Sequence, residues 1–128
     1  MSVRLILDTS ALLAYAAADL RSVAVGELIA TVAEDGDVTG VPALCLVAAV
    51  RQSRGGDRGR LIELATTPDG PTILLPLLAD DVLAVAAASI EQGLAHAVAE
   101  AGKYHAVLAT YLGDEARREL PDDDILDL

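Results

Sequence analysis

The chain has 128 residues, a length typical of one domain, and 53% of them are hydrophobic, which excludes an intrinsically disordered protein. It has no Phe, no Trp and only three Tyr, so Leu, Ala and Val must fill its core. A formal net charge of −11 argues against nonspecific nucleic-acid binding unless a basic patch or a metal ion offsets it. Without a signal-peptide pattern or an apolar run of ~20 residues, we expect a soluble, cytoplasmic single domain over residues 1–128 that does not enter a membrane.

The first half of the chain alternates short apolar strands with Ala-rich helices. Its predicted elements, in chain order, are a strand at 3–7, helices at 11–18 and 23–35, a strand at 38–42 and a helix at 43–52. Ser10 is a candidate N-cap of the first helix, and Pro42 suits the first turn of the last helix because its nitrogen carries no hydrogen. The next segment, SRGGDRGR (53–60), predicts a flexible loop since it contains three glycines.

The second half of the chain repeats this alternation. Its predicted elements are a short helix at 61–67, a strand at 72–77, an Ala-rich segment at 82–102 that breaks near Gly93 into two helices, a strand at 106–110, a helical turn at 114–120 and an edge strand near the C-terminus. Strands that alternate with helices predict an α/β protein with a short central parallel sheet. Sites in such sheets lie at the carboxyl ends of strands, and Asp8 directly follows the first strand.

Four of the nine cationic residues lie within ten positions, at Arg51, Arg54, Arg58 and Arg60. These arginines are candidates for contact with phosphate or with an acidic protein partner. The other interpretation is a solvated loop that neighbouring acids neutralise. No aromatic residue lies nearby to stack on a base, which weakens the case for single-stranded RNA. The two histidines, His96 and His105, are interpreted as packing or surface residues, with a metal site as the alternative.

The segment LILDTSALLAY (5–15) resembles the opening of PIN domains, the fold of VapC-type toxin ribonucleases, in which the first strand ends in Asp before a short apolar helix. VPALCLVAAV (41–50) is similar to the second motif of that family, and GLAHAVAEAGKYHAVLATY (93–111) to its third and fourth motifs. The resemblance spans nearly the whole chain. It implies a three-layer α/β/α fold, a homodimer and an origin in a toxin–antitoxin system.

In that family three or four carboxylates hold Mg²⁺ or Mn²⁺, which activates water for RNA cleavage. Asp8 matches the first of these acids. The resemblance puts the other three near Ala48, Gly93 and Tyr111, and none of these residues is acidic. Several carboxylates are needed because a hard cation prefers a full set of oxygen ligands.

Other acids in the chain are poor substitutes for the missing ones. If residues 82–102 are helical, Glu91 lies on the opposite side from Gly93, and Glu100 lies about two turns, ~10 Å, along the axis. Asp114 and Glu115 could approach the fourth position only through an irregular loop.

The sequence therefore predicts a PIN-like domain with a degenerate metal site, without a cofactor and without nuclease activity. Such a domain would act as a binding or regulatory module, with a second copy or another protein as its partner. In this interpretation Asp8 is either a remnant metal ligand or a structural carboxylate, and Thr9 and Ser10 organise its turn. The alternative is a divergent Mg²⁺- or Mn²⁺-dependent ribonuclease that uses Asp8 with Asp114, Glu115 or Glu100, and only this alternative involves RNA.

Overall fold

The computed structural model describes residues 2–128, which form one five-stranded sheet and seven α-helices. The strands are β1 (Val3–Leu7), β2 (Val38–Pro42), β3 (Thr72–Leu75), β4 (Val107–Thr110) and β5 (Ile125–Asp127). The helices are α1 (Thr9–Ala16), α2 (Leu20–Glu34), α3 (Ala43–Gln52), α4 (Gly55–Thr66), α5 (Ala79–Ala87), α6 (Gln92–Tyr104) and α7 (Gly113–Ala116). Among these residues, no helix combines the length and the apolar character that crossing a membrane requires.

All five strands run parallel, in the order β3-β2-β1-β4-β5. Helices flank the sheet, which confirms the predicted α/β class and its three-layer α/β/α architecture. Strand β1 lies at the centre, and every residue in it except Arg4 is buried. A continuous apolar run is what a parallel strand needs when helices cover both faces of its sheet.

The order of the strands reverses at β1, because β2 pairs with it on one side and β4 on the other. In open parallel sheets, a crevice forms outside the carboxyl ends of the two strands where the order reverses. Leu7, the last residue of β1, pairs with Ala109 near the end of β4. The topology therefore brings the residues that follow β1 and β4 together at one crevice.

The core is built from small and branched aliphatic side chains that pack closely. Gly40 in β2 illustrates how little space remains between the side chains of neighbouring strands. A Cβ atom at this position would lie 2.6 Å from Cδ1 of Leu75 and 2.9 Å from Cδ1 of Ile6. Two leucine-sized side chains thus fill the space that a larger residue would occupy, which compensates for the absence of Phe and Trp.

The segment before α4 differs from the sequence prediction. The predicted loop at 53–60 is wrong beyond its first residues, because α4 begins at Gly55. Glycine is a poor helix former, so the prediction followed from local propensity. In the Ala-rich segment the predicted break near Gly93 is confirmed, since α5 ends at Ala87 and α6 begins at Gln92.

Candidate functional site

Asp8 is the N-cap of α1, a role that the sequence assigned to Ser10. Its backbone is extended (φ −82°, ψ −176°), and its Oδ1 accepts a hydrogen bond of 2.9 Å from the Ala11 N–H. A carboxylate in this position satisfies one of the amides that the first turn of a helix leaves unpaired. The residue is only 1% exposed, so the cap lies inside the protein.

Two hydroxyl groups complete the surroundings of the Asp8 carboxylate. Ser10 Oγ donates to Oδ1 at 2.7 Å, and Thr110 Oγ1, at the end of β4, donates to Oδ2 at 2.6 Å. Each hydroxyl also accepts a backbone amide from the segment after β4. The Tyr111 N–H donates to Ser10 Oγ at 2.9 Å, and the Leu112 N–H donates to Thr110 Oγ1 at 2.8 Å. Hydrogen bonds around Asp8 therefore connect the residues that follow β1 with those at the end of β4.

Burial and hydrogen bonding shift the pKa of the Asp8 carboxyl in opposite directions. Burial, the larger effect, raises the pKa of the carboxyl above its ordinary value of 3.8, while the hydrogen bonds from Thr110, Ser10 and Ala11 lower it. The pKa is raised on balance. The charged form is thus less favourable here than in water, because the hydrogen bonds only partly replace the solvation that burial removes.

The residues around Asp8 do not fit an Mg²⁺ or Mn²⁺ ion. Both carboxylate oxygens already accept hydrogen bonds from within the protein. Within residues 2–128, no group of three or more His, Cys, Asp or Glu side chains is arranged to hold a metal ion. Hard cations need several oxygen ligands, of which carboxylates are the strongest in proteins.

The three positions where the family resemblance puts acids converge near Asp8. A cleft of about 250 Å³ is lined by Thr9, Ser10, Ala48, Gln52, Glu91 and Leu112. Ala48 reaches it from α3, and Tyr111 borders it through its hydrogen bond to Ser10. Gly93, the second residue of α6, lies beside Thr9, because a Cβ atom at Gly93 would be 2.8 Å from Thr9 Oγ1. Thr9 Oγ1 itself is buried and has no hydrogen-bond partner among the described residues.

Glu91 lies at the cleft, which the sequence analysis did not anticipate. The helical argument that put it on the far side was wrong, because α6 begins after Glu91 and the residue is its N-cap. Its carboxylate accepts from the Gly93 N–H at 2.9 Å and from the Leu94 N–H at 3.0 Å. The Cβ atom of a side chain at Gly93 would lie 3.0 Å from Glu91 Oε2. The Glu91 carboxylate therefore occupies the space that an acidic side chain at position 93 would need.

The remaining acids considered for the site lie elsewhere. Glu100 is buried inside α6, where its Oε1 lies 3.1 Å from His96 Nε2 and 3.4 Å from Lys103 Nζ. Asp114 has a fully exposed side chain, 3.8 Å from an Arg117 nitrogen. Neither lines the cleft beside Asp8.

Two of the four clustered arginines bind backbone carbonyls at the ends of helices. Arg58 donates to the carbonyls of Val50, in the last turn of α3, and of Ser53, its C-cap. Arg60 donates to the carbonyl of Ala16, the last residue of α1. Cations at these carboxyl-terminal ends also interact favourably with the helix dipole. Arg51 and Arg54 are exposed, and Arg51 borders a cavity next to the cleft, beside Gln52 and Glu91.

No protein-family model matches this chain, and the curated proteins include no match to it. The resemblance to PIN domains therefore stays a prediction from the sequence, and the geometry of the site carries the functional argument.

Proposed function

We propose that this protein is a PIN-like domain whose metal site has degenerated, so that it lacks nuclease activity and acts as a binding or regulatory module. One observation carries the proposal: three donors from within the protein occupy the Asp8 carboxylate, at 2.6 to 2.9 Å. An ion bound there would have to displace these hydrogen bonds, and within residues 2–128 no group of three or more His, Cys, Asp or Glu side chains is arranged to hold it in return.

The residues at the other expected acid positions support the same conclusion. Ala48 and Gly93 have no oxygen in their side chains, and the Glu91 carboxylate beside Gly93 is occupied by two amides. Losing even a supporting residue of a metal site typically costs ~10–100-fold in affinity or activity. Losing three ligands would weaken binding by on the order of 10³–10⁶-fold if the losses are independent.

Exposed apolar side chains support a protein partner. Val47 borders the neighbouring cavity and is 53% exposed, and Leu112 lines the cleft itself. Helix α5 also presents Val82 and Leu83 to solvent, with Leu83 80% exposed. Exposed apolar clusters are typical of protein-binding surfaces. We infer that α5 suits a homodimer and that the module belongs to a toxin–antitoxin setting in the cytoplasm, where a buried free cysteine such as Cys45 stays reduced.

No specific observation favours the alternative, a divergent Mg²⁺- or Mn²⁺-dependent ribonuclease. Its additional acids, Asp114, Glu115 and Glu100, do not line the cleft beside Asp8. The phosphates of an RNA backbone would also be repelled by the overall net charge of −11.

Cleavage of RNA in excess Mn²⁺ tests this proposal. Purified wild-type protein is compared with the Asp8→Ala variant on single-stranded and structured RNA. We expect no cleavage that depends on Asp8, so both proteins should give the same product level as a mock purification. Cleavage by the wild type that disappears in Asp8→Ala would overturn the proposal.

A further inference from the structure

We propose that Asp8 is a positioning residue that fixes the Tyr111–Leu112 segment at the rim of the cleft through Ser10 and Thr110. Two short hydrogen-bond relays begin at its two oxygens. One runs from Oδ1 through Ser10 Oγ to the Tyr111 amide, and the other from Oδ2 through Thr110 Oγ1 to the Leu112 amide. This inference rests on the proposed function in one respect, because the carboxylate must be free of metal.

The charge of Asp8 sets the direction of both relays. An ionised carboxylate can only accept, so the single proton of each hydroxyl points towards Asp8. The lone pairs of Ser10 and Thr110 are then left to face the backbone amides. Hydrogen bonds to a charged acceptor are also shorter and stronger than those between neutral groups, in agreement with the 2.6 and 2.7 Å distances here.

The relays determine the conformation of a surface that lines the cleft. Tyr111 and Leu112 are both partly exposed, and Leu112 faces the cavity that Ala48 and Gln52 line from α3. Within the described residues, the amides of Tyr111 and Leu112 have no other acceptor. Without the relays, the chain between β4 and α7 would lose its connection to the start of α1, and this side of the cleft would become mobile.

Replacing Asp8 with Asn should weaken one relay and leave the other intact. The Asn oxygen should stay where Oδ1 is, because two donors, Ser10 and the Ala11 amide, converge on that position. Its NH₂ group then faces Thr110 and donates to the hydroxyl, which must turn its own proton away from Asp8. The Thr110 oxygen then accepts from both the Asn NH₂ and the Leu112 amide and has lost its charged acceptor, so the Leu112 hydrogen bond weakens, while the Tyr111 amide keeps its partner.

Amide hydrogen exchange, followed residue by residue by NMR on the full chain in metal-free buffer, tests the inference. Thr110→Val removes the acceptor of the Leu112 amide and should speed exchange at Leu112 by about tenfold relative to Tyr111, the change expected for one lost hydrogen bond. Asp8→Asn only weakens that hydrogen bond and should speed exchange at Leu112 by about threefold relative to Tyr111, and Ser10→Ala should act on Tyr111. Thr39→Val is the matched control, because Thr39 is an equally buried strand threonine whose hydroxyl has no partner within residues 2–128.

The Leu108 amide, in the buried centre of β4, reports global unfolding and serves as the internal reference. If the rate at Leu112 rises no more than the rate at Leu108 in Asp8→Asn and in Thr110→Val, the inference is wrong. The Ser10→Ala variant alters a half-buried residue and keeps the experiment decisive should Thr110→Val fail to fold. Because no metal or RNA is present, this result is independent of the cleavage assay, and either proposal can fail without the other.

Discussion

At the scale of single residues, Asp8 makes stability depend on pH in a direction opposite to that of an ordinary ion-paired aspartate. Its pKa in the folded state is raised above 3.8, mainly by burial. The folded protein therefore binds this proton more tightly than the unfolded chain does. The contribution of Asp8 is most favourable below the unfolded pKa and is lost as the pH rises through the folded pKa.

The Asp8→Asn variant isolates this effect because it cannot titrate at this position. We expect the difference in free energy of unfolding, wild type minus variant, to fall as the pH rises from about 4 and to level off above the folded pKa. Urea unfolding of both proteins across this pH range measures this difference. The other acidic residues are the same in both proteins, so their contributions to the pH dependence cancel. A difference that grows with pH would mean that the carboxylate is stabilised by charge, as it would be next to a cation.

The role of Asp8 was only partly visible in the sequence. An acid directly after a buried strand indicates a site at the carboxyl edge of a parallel sheet, and the structure has it there. Its partner Thr110 is 102 residues away, so no local pattern links the two. Glu91 was misinterpreted because its position relative to Gly93 was judged as if both residues lay within one helix, whereas Glu91 precedes α6 as its N-cap.

At the scale of elements, a buried histidine joins α3 to α6. His96 has no exposed surface, and its Nδ1 accepts from the Leu44 N–H at 3.4 Å, in the first turn of α3. Because Nδ1 accepts, the ring proton lies on Nε2, which donates to Glu100 at 3.1 Å. The N-cap of α3 is Pro42, which has no side-chain hydrogen bond to offer, so His96 supplies the acceptor from the neighbouring helix.

Removing the His96 ring should destabilise the contact between α3 and α6. His96→Ala leaves a cavity and deprives both Glu100 and the Leu44 amide of a partner, which should lower the free energy of unfolding by about 2–4 kcal/mol. Chemical denaturation measures the change. His105→Asn is the control, because His105 is exposed and left-handed (φ 52°), a conformation that Asn tolerates, and this variant should change little. Equal losses in the two variants would contradict the role assigned to His96.

The start of α4 shows where element prediction from local propensity fails. Three glycines between positions 53 and 60 indicate a loop, yet residues from Gly55 are helical. Arg58 and Arg60 bind the carbonyls at the ends of α3 and α1, and these bonds fix the turn before α4 against both helices. Such contacts join residues up to 44 positions apart, so a sequence window cannot contain them.

At the scale of the whole molecule, the fold class was predictable because it follows from the hydrophobic pattern along the entire chain. Short apolar runs alternate with Ala-rich segments along the chain, and this order alone favours a parallel sheet covered by helices. The pattern specifies which segments are buried but not which polar groups meet at the crevice. The chemistry of the crevice depends on a few hydrogen bonds between β1 and β4, and these became visible only in three dimensions.

The most direct test of the account is the thermal unfolding of the wild type and of Asp8→Asn, each with and without millimolar Mn²⁺. A ligand that binds only the folded state raises the midpoint by an amount that grows with the logarithm of its concentration relative to its Kd. Because the protein's own hydroxyl and amide groups occupy the Asp8 carboxylate, we predict that Mn²⁺ shifts neither midpoint by more than ~1 °C. A clear rise in the wild type that Asp8→Asn lacks would contradict the account, since it would mean that a metal ion replaces these groups at Asp8.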